Sequence, residues 1–330
     1  MSHNHQAAKA EILRASTAID HLFVTLDDSI TSYSLQLPVP KHHPRAKTIT
    51  ETLFVVRALN ADELPTNSFY LVDSKLKNSF VADFLGEKAH YVNAAEHTLK
   101  EVSWLKNYLA SYIPKDIETI VGIGGGVLLN AAAYIAEERK SDYIAIPTTV
   151  VAAADSSVGG LVRINKVADE HFKKSYYQSV YEPSKIILDP RFLEILPKMQ
   201  VCLGLSEVVK HGVYQSPALL EYLASNECDP LNNQDTLVKA ICWTVALKNI
   251  ALTNDPDSTK FGGEILRGGH RLAHEIEEKS RFKIPHTQAV AIGVYQDAMR
   301  DITKLRLLDA VYKKLDLPRS LQDVTATSVE

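Results

Sequence analysis

The stretch ETIVGIGGGVLLNAAAYIAEERK, from Glu118 to Lys140, constrains the fold more than any other part of the chain. A short run rich in branched apolar residues passes through consecutive glycines into a segment with helical character, so it reads as strand, tight turn and helix. Such a unit needs parallel neighbours to bury its strand, and candidates lie on both sides. TLFVVRAL, SFYLVDS, DYIAIP and KIILD, which ends at Asp189, are short runs bounded by turn formers and read as further strands. AEHTLKEVSWLKNYLASY places Leu99, Val102, Leu105 and Leu109 on one helical stripe. The alternation predicts an α/β domain over residues 46–190, a mostly parallel sheet with helices on both faces.

From about residue 191 the pattern changes. FLEILPKMQVCLGLSEVVKHGVYQ, ALLEYLAS, TLVKAICWTVALKNIALT, GGHRLAHEIEEKS and TQAVAIGVYQDAMRDITKLRLLDAVYKKL all read as helices, giving an all-α second domain over residues 191–330. Residues 1–45 read as an N-terminal extension, because QLPVPKHHPRAK carries three prolines among basic residues. His3, His5, His42 and His43 read as solvated tail residues. A chain of 330 residues suits two domains, and its 45% apolar and 23% charged residues suit a globular core. The net charge of −4 argues against nucleic-acid or membrane-surface partners. No stretch approaches the ~18 apolar residues of a membrane span. Cys202, Cys228 and Cys242 fit no zinc-finger spacing and read as buried residues of a reducing, cytoplasmic protein.

Two constellations carry chemistry. Gly122, Gly124, Gly125 and Gly126 sit between strand and helix, where bare backbone approaches a pyrophosphate and the helix N-terminus supplies free N–H groups. In the helical half, Glu207 in GLSEVVKHG shares a helix face with Lys210 and His211. His270 and His274 in GGHRLAHEIE are also four residues apart, and His286 opens HTQAVAIG. One carboxylate with two imidazoles leaves an open position on a divalent ion.

PTTVVAAADSSVGG, GLSEVVKHG, GGHRLAHEIE and HTQAVAIG, in this order and spacing, resemble the signature segments of 3-dehydroquinate synthase and its sugar phosphate cyclase relatives. The resemblance covers about residues 46–325. It implies a dinucleotide-binding α/β domain followed by a helical metal- and substrate-binding domain. It implies NAD as cofactor, Zn²⁺ or another divalent metal, a sugar phosphate or related polyol as substrate, and a homodimer. The metal ligands fall on Glu207, His270 and His286. The nucleotide contacts fall on Gly124, Gly125, Gly126, Asp73, Asn130, Thr148 and Thr149. Asp155, Lys174, Lys210, Lys248 and His274 match substrate-side groups, and Arg139 matches an arginine that reaches a neighbouring subunit's site.

The chain also departs from the family pattern. Leu161 replaces the lysine of DSSVGGK, and Ser175 replaces an asparagine after Lys174. Asn130 replaces the aspartate of the glycine turn. Gly263 stands where the family has an arginine, followed here by Leu266 and Arg267. Lys100 comes one residue late for a Glu-x-x-Lys motif that begins at Glu96. These changes cluster on substrate recognition, while the metal set and much of the NAD site survive, and Arg163 and Arg267 are candidate replacements. The expected activity is therefore a phosphate-eliminating, NAD- and metal-dependent cyclase with altered substrate recognition. The alternatives are a metal-dependent polyol or alcohol dehydrogenase, in which His211 joins the ligands, and a catalytically impaired binding homologue.

Overall fold

The computed structural model describes residues 3–27, 33–40, 49–96, 98–168, 171–299 and 301–324. His42 and His43 lie outside the described residues. The chain divides into two units, Thr31–Glu194 and the combination of Met1–Ile30 with Ile195–Glu330.

The first unit is the expected α/β domain. Its strands are β1 (Tyr33–Pro38), β2 (Glu51–Val56), β3 (Ser68–Asp73), β4 (Ala89–Val92), β5 (Thr119–Gly124), β6 (Asp142–Pro147), β7 (Leu161–Ala168), β8 (His171–Val180) and β9 (Lys185–Leu188). Seven of them form one sheet in the order β1-β2-β9-β6-β5-β3-β4. Every pairing in it is parallel except the antiparallel edge pair β1–β2. All residues of β5 are buried, as a central parallel strand covered on both faces requires. One face of the sheet packs Tyr70, Val72, Val121, Ile123, Ile144, Ile146 and Ile187 with Val81, Leu85 and Phe192. Helix α2 (Phe80–Leu85) supplies Val81 and Leu85, and α5 (Arg191–Glu194) supplies Phe192.

Helix α3 (Val102–Tyr112) starts three residues later than the Leu99 stripe suggests. Glu101 stops it there, because its carboxylate caps the helix by accepting from Trp104 N at 2.8 Å. Strands β7 and β8, which the sequence pattern does not announce, form a separate antiparallel ribbon with an irregularity between Ile164 and Lys166. Helix α4 (Gly126–Arg139) follows β5 and packs closely over it. A Cβ on Gly122 would lie 2.7 Å from Ala132 Cβ, so this contact needs a glycine.

The second unit is helical: α1 (His3–Thr25), α6 (Lys198–Tyr214), α7 (Pro217–Ala224), α8 (Gln234–Asn254), α9 (Phe261–Leu266), α10 (His270–Lys279), α11 (His286–Ala298) and α12 (Ile302–Leu315). Pro197 separates α6 from α5, as a residue without an N–H does at a helix start. Helix α8 has the length and hydropathy of a membrane span, but 78% of its most apolar window is buried inside the protein.

The described residues within 1–45 do not form a single extension. Helix α1 buries Ile12 and Phe23 against the helical unit, and Phe23 stacks on Trp243 with ring centroids 5.4 Å apart. Asp20 accepts from Ser216 Oγ at 2.6 Å and from Trp243 Nε1 at 2.9 Å. Burying a Phe-sized side chain contributes roughly 1.5–3 kcal/mol, enough to fix such a helix in place. Strand β1 instead joins the sheet of the α/β unit.

Candidate active site

In the helical unit, three helices each deliver one metal-type donor. Glu207 lies in the middle of α6, His270 is the first residue of α10, and His286 is the first residue of α11. Their ligand atoms lie within 4.8 Å of one another. His270 Nε2 is 3.6 Å and His286 Nε2 is 3.8 Å from Glu207 Oε1. The helices meet because the backbone lets them. A Cβ on Gly293 would lie 2.0 Å from Gly269 O, and Gly269 itself adopts φ +73°. The α10–α11 connection turns back through Arg281 and Phe282, at φ 51° and 59°. Such left-handed non-glycine residues cost on the order of 1–3 kcal/mol each, as is common where geometry is held for function.

The residues around the triad suit a divalent ion. The Nδ1 of His270 hydrogen-bonds Gly268 O at 3.0 Å, and that of His286 meets Glu277 Oε1 at 3.2 Å. Both rings then carry the proton on Nδ1 and turn an Nε2 lone pair toward Glu207, a tautomer assigned from these bonds. Burial lowers the His270 pKa to about 4, against the pull of the Glu207 carboxylate, so the ring is neutral at physiological pH. The second oxygen of Glu207 accepts from Lys210 Nζ at 2.5 Å, and Lys210 also donates to Leu266 O at 3.4 Å. His274 lies beside the triad, its ring 5.8 Å from that of His270 and 6.4 Å from that of His286.

His211 stands apart from the ligand set. Its Nδ1 meets Gln215 Oε1 at 2.8 Å. The amide orientation of Gln215 is fixed, because its Nε2 donates to Ser16 Oγ at 3.0 Å and Leu247 O at 2.8 Å. Burial, followed by the Lys210 charge, lowers the His211 pKa to about 3. Lys248 lies buried on α8.

In the α/β unit, Asp73, Gly124–Gly126 and Thr148–Thr149 stand at the C-terminal ends of the adjacent strands β3, β5 and β6. Asp73 accepts from Lys75 N at 3.0 Å, and Thr148 N donates to Gly124 O at 3.0 Å. Gly125 is the N-cap of α4 and makes no side-chain cap bond. A Cβ on Gly125 would meet nothing nearer than Thr149 Cγ2 at 3.5 Å, so packing does not demand glycine there. A bare backbone at a helix N-terminus, without a packing reason to be bare, fits a nucleotide phosphate. Asn130 bridges the first turn of α4 to β7, donating to Gly126 O at 2.8 Å and accepting from Arg163 N at 2.6 Å. Asp155 lies in the short π-helical segment Ala152–Ser156, whose Ser156 borders Gly126.

Several departures acquire physical reasons. Lys100, one residue late in sequence, still reaches Glu96 at 3.1 Å, because the chain here turns back on itself, with Leu99 N donating to Ala95 O. Burial raises the Glu96 pKa, but Lys100 and Asn165 outweigh it and the net shift is downward. Asn165 donates to Glu96 Oε1 at 2.9 Å and accepts from Ser175 N at 2.9 Å, tying the β7–β8 ribbon to this segment. Lys174, on β8, adds its charge to the surroundings of Glu96. An arginine at position 263 has no room, since a Cβ there would lie 2.0 Å from Ser258 O. Arg267 is exposed and donates to Ser258 O at 2.7 Å. Arg139 is remote from the glycine turn, at the other end of α4, where it donates to Leu109 O at 2.9 Å and Ile113 O at 2.7 Å. It caps α3 within its own unit.

Comparison with known proteins agrees with this architecture. Residues 90–202 match the family described as 3-dehydroquinate synthase N-terminal, and residues 204–326 match 3-dehydroquinate synthase C-terminal. The chain belongs to the 3-dehydroquinate synthase family. The 3-dehydroquinate synthase of Saccharolobus solfataricus is 30% identical over 215 residues, covering 63% of this chain and 59% of that protein. The chain thus spans less than two thirds of that relative. A 2-deoxy-scyllo-inosose synthase solved with carbaglucose-6-phosphate, NAD⁺ and Co²⁺ shares the fold at TM-score 0.69 and 23% identity, covering 90% of this chain and 85% of that one. The 2-epi-5-epi-valiolone synthase ValA of Streptomyces hygroscopicus, solved with NAD⁺ and Zn²⁺, does so at TM-score 0.68 and 19% identity, covering 84% of each chain.

Proposed function

We propose that the chain is an NAD- and divalent-metal-dependent sugar phosphate cyclase that eliminates phosphate from a substrate other than the seven-carbon acidic sugar phosphate of 3-dehydroquinate synthase. The convergence of Glu207, His270 and His286, each imidazole presenting Nε2, carries this reading. Glu207, His270 and His286 would hold the metal, and Gly124–Gly126 with Asp73, Asn130, Thr148 and Thr149 would hold NAD. When bound, NAD supplies reversible hydride transfer at a ring hydroxyl and the metal stabilises charge on that oxygen.

The chain's own groups supply the rest. Lys210 holds one oxygen of the buried Glu207 carboxylate in a close ion pair. His274 is an exposed imidazole beside the ligands, suited to move a proton to or from a substrate oxygen. Lys248, with Asp155 and Lys174, is assigned to substrate positioning. Substrate choice is altered because Gly263 excludes an arginine and Arg267 is taken up by Ser258 O, while Leu161 brings an apolar side chain to the start of β7. A buried anion without donors is strongly disfavoured, so a neutral or differently phosphorylated sugar fits better. Homodimer formation, Zn²⁺ as the metal and a cytoplasmic setting belong to the same reading and rest on the family resemblance.

The test incubates the protein with NAD, Zn²⁺ and a panel of sugar phosphates, following inorganic phosphate and NADH absorbance together. The expected result is phosphate release without net NADH, and turnover of the acidic seven-carbon substrate far below the ordinary ~1–10³ s⁻¹. Net NADH formation would establish a dehydrogenase instead, and full turnover of the acidic substrate would refute the altered specificity.

A further inference from the structure

Glu277 lies outside the ligand triad, yet α10 places it on the same stripe as His270 and His274, seven and three residues after them. It is 3% exposed, unusual for a carboxylate. Its Oε1 lies 3.2 Å from His286 Nδ1. The two imidazoles of the triad are therefore held by unlike partners, His270 by a backbone carbonyl and His286 by an anion. They also differ in exposure, 12% for the His270 side chain and 34% for His286. The more exposed ring, at the first position of its helix, is the one given the stronger acceptor.

The turn after α10 uses the main chain of this residue. It is closed by the backbone carbonyl of Glu277, which accepts from Phe282 N at 2.7 Å and Ser280 Oγ at 3.0 Å. The Glu277 side chain meets His286. A neutral imidazole offers Nε2 to a metal only while Nδ1 keeps its proton, and a buried carboxylate on Nδ1 fixes both that tautomer and the ring's rotation.

We infer that Glu277 is a positioning residue for metal binding, holding the Nδ1–H of His286 so that its Nε2 stays directed at Glu207 and the ion. This rests on the reading of Glu207, His270 and His286 as ligands. The experiment uses the full chain and measures Zn²⁺ affinity by competition with a chromophoric chelator, in wild type, Glu277→Gln, Glu277→Ala and Glu278→Gln. In parallel, ¹⁵N–¹H correlation of the metal-free proteins reads the His286 tautomer. The expected result is affinity weakened about 10–100-fold in Glu277→Ala and less in the isosteric Glu277→Gln, whose amide oxygen still accepts. Glu278→Gln, an exposed neighbour, should match wild type. The His286 ring should be Nδ1–H in wild type and a tautomer mixture in Glu277→Ala. Unchanged affinity and tautomer in both Glu277 variants would overturn the inference alone. A wild-type chain that binds no Zn²⁺ would overturn the ligand reading and the inference together.

Discussion

In the α/β unit, the candidate nucleotide site gathers at the ends of three neighbouring strands, and backbone forms its surface at the glycine turn. In the helical unit, the triad comes from three helices and consists of side chains held by burial and hydrogen bonds. The first site depends on what is left out, a Cβ at Gly125. The second depends on what is put in, buried charge whose partners must all be present. Mutations at the glycine turn and at the triad should therefore act differently, on ligand binding alone at the first and on stability as well at the second.

The largest effect is expected at Glu207. Glu207→Ala removes a ligand and strips the buried Lys210 of its carboxylate, both residues being 1% exposed in the native protein. Breaking such a pair costs about 3–5 kcal/mol. Metal content should fall to background and the urea midpoint should drop accordingly. Stoichiometric metal in the variant would erase the distinction between the units.

Next in size is an acid sensitivity of the helical unit. The folded-state pKa of His211 is lowered by burial to about 3, whereas its ordinary value is 6.5. The unfolded chain therefore binds the proton first. This stability is fully present above pH 6.5 and is lost as pH falls toward 3, by at most about 1.4 kcal/mol per pH unit. Urea unfolding across pH 7.5 to 4.5 should show that slope in wild type and a shallower one in His211→Asn. Equal slopes would mean that His211 does not couple folding to protonation.

The smallest effect on stability separates two glycines of the β5–α4 unit, one in the strand and one at the helix N-cap. Gly122→Ala drives a Cβ into Ala132 and should cost about 1–3 kcal/mol. Gly125→Ala meets only ordinary contacts and should stay within about 0.5 kcal/mol of wild type. Gly125→Val should nonetheless weaken NAD binding by about tenfold or more, measured by titration. Unchanged NAD affinity in Gly125→Val would remove the nucleotide role from the turn.

Much of this was legible in the sequence, for reasons of distance along the chain. The strands β2, β3, β5, β6 and β9 announce themselves by composition, and the turn at Gly124–Gly126 is contiguous. Glu207, Lys210 and His211 were readable as one helix face. What escaped depends on remote partners. Helix α1 looks like part of a tail until Ser16 is seen bonding Gln215 across 199 residues of sequence. Asn165, at the centre of the link between the ribbon and Glu96, is joined to a partner 69 residues away. Arg139 could be placed on α4 from sequence, but not the α3 carbonyls that engage it. Glu277 had a local signal, three residues after His274, but its partner His286 lies beyond a strained turn that the pattern does not show.

X-ray absorption at the zinc edge of the Zn²⁺-loaded chain tests the central claim most directly, because it counts ligands without relying on turnover. The account predicts two imidazole nitrogens at about 2.0–2.1 Å, a carboxylate oxygen in the same range, and at least one further light ligand at the open position. Cys202, Cys228 and Cys242 are buried free thiols outside the triad, so no sulfur should appear in the spectrum. A sulfur shell at about 2.3 Å, or an imidazole count other than two, would contradict the assignment of Glu207, His270 and His286.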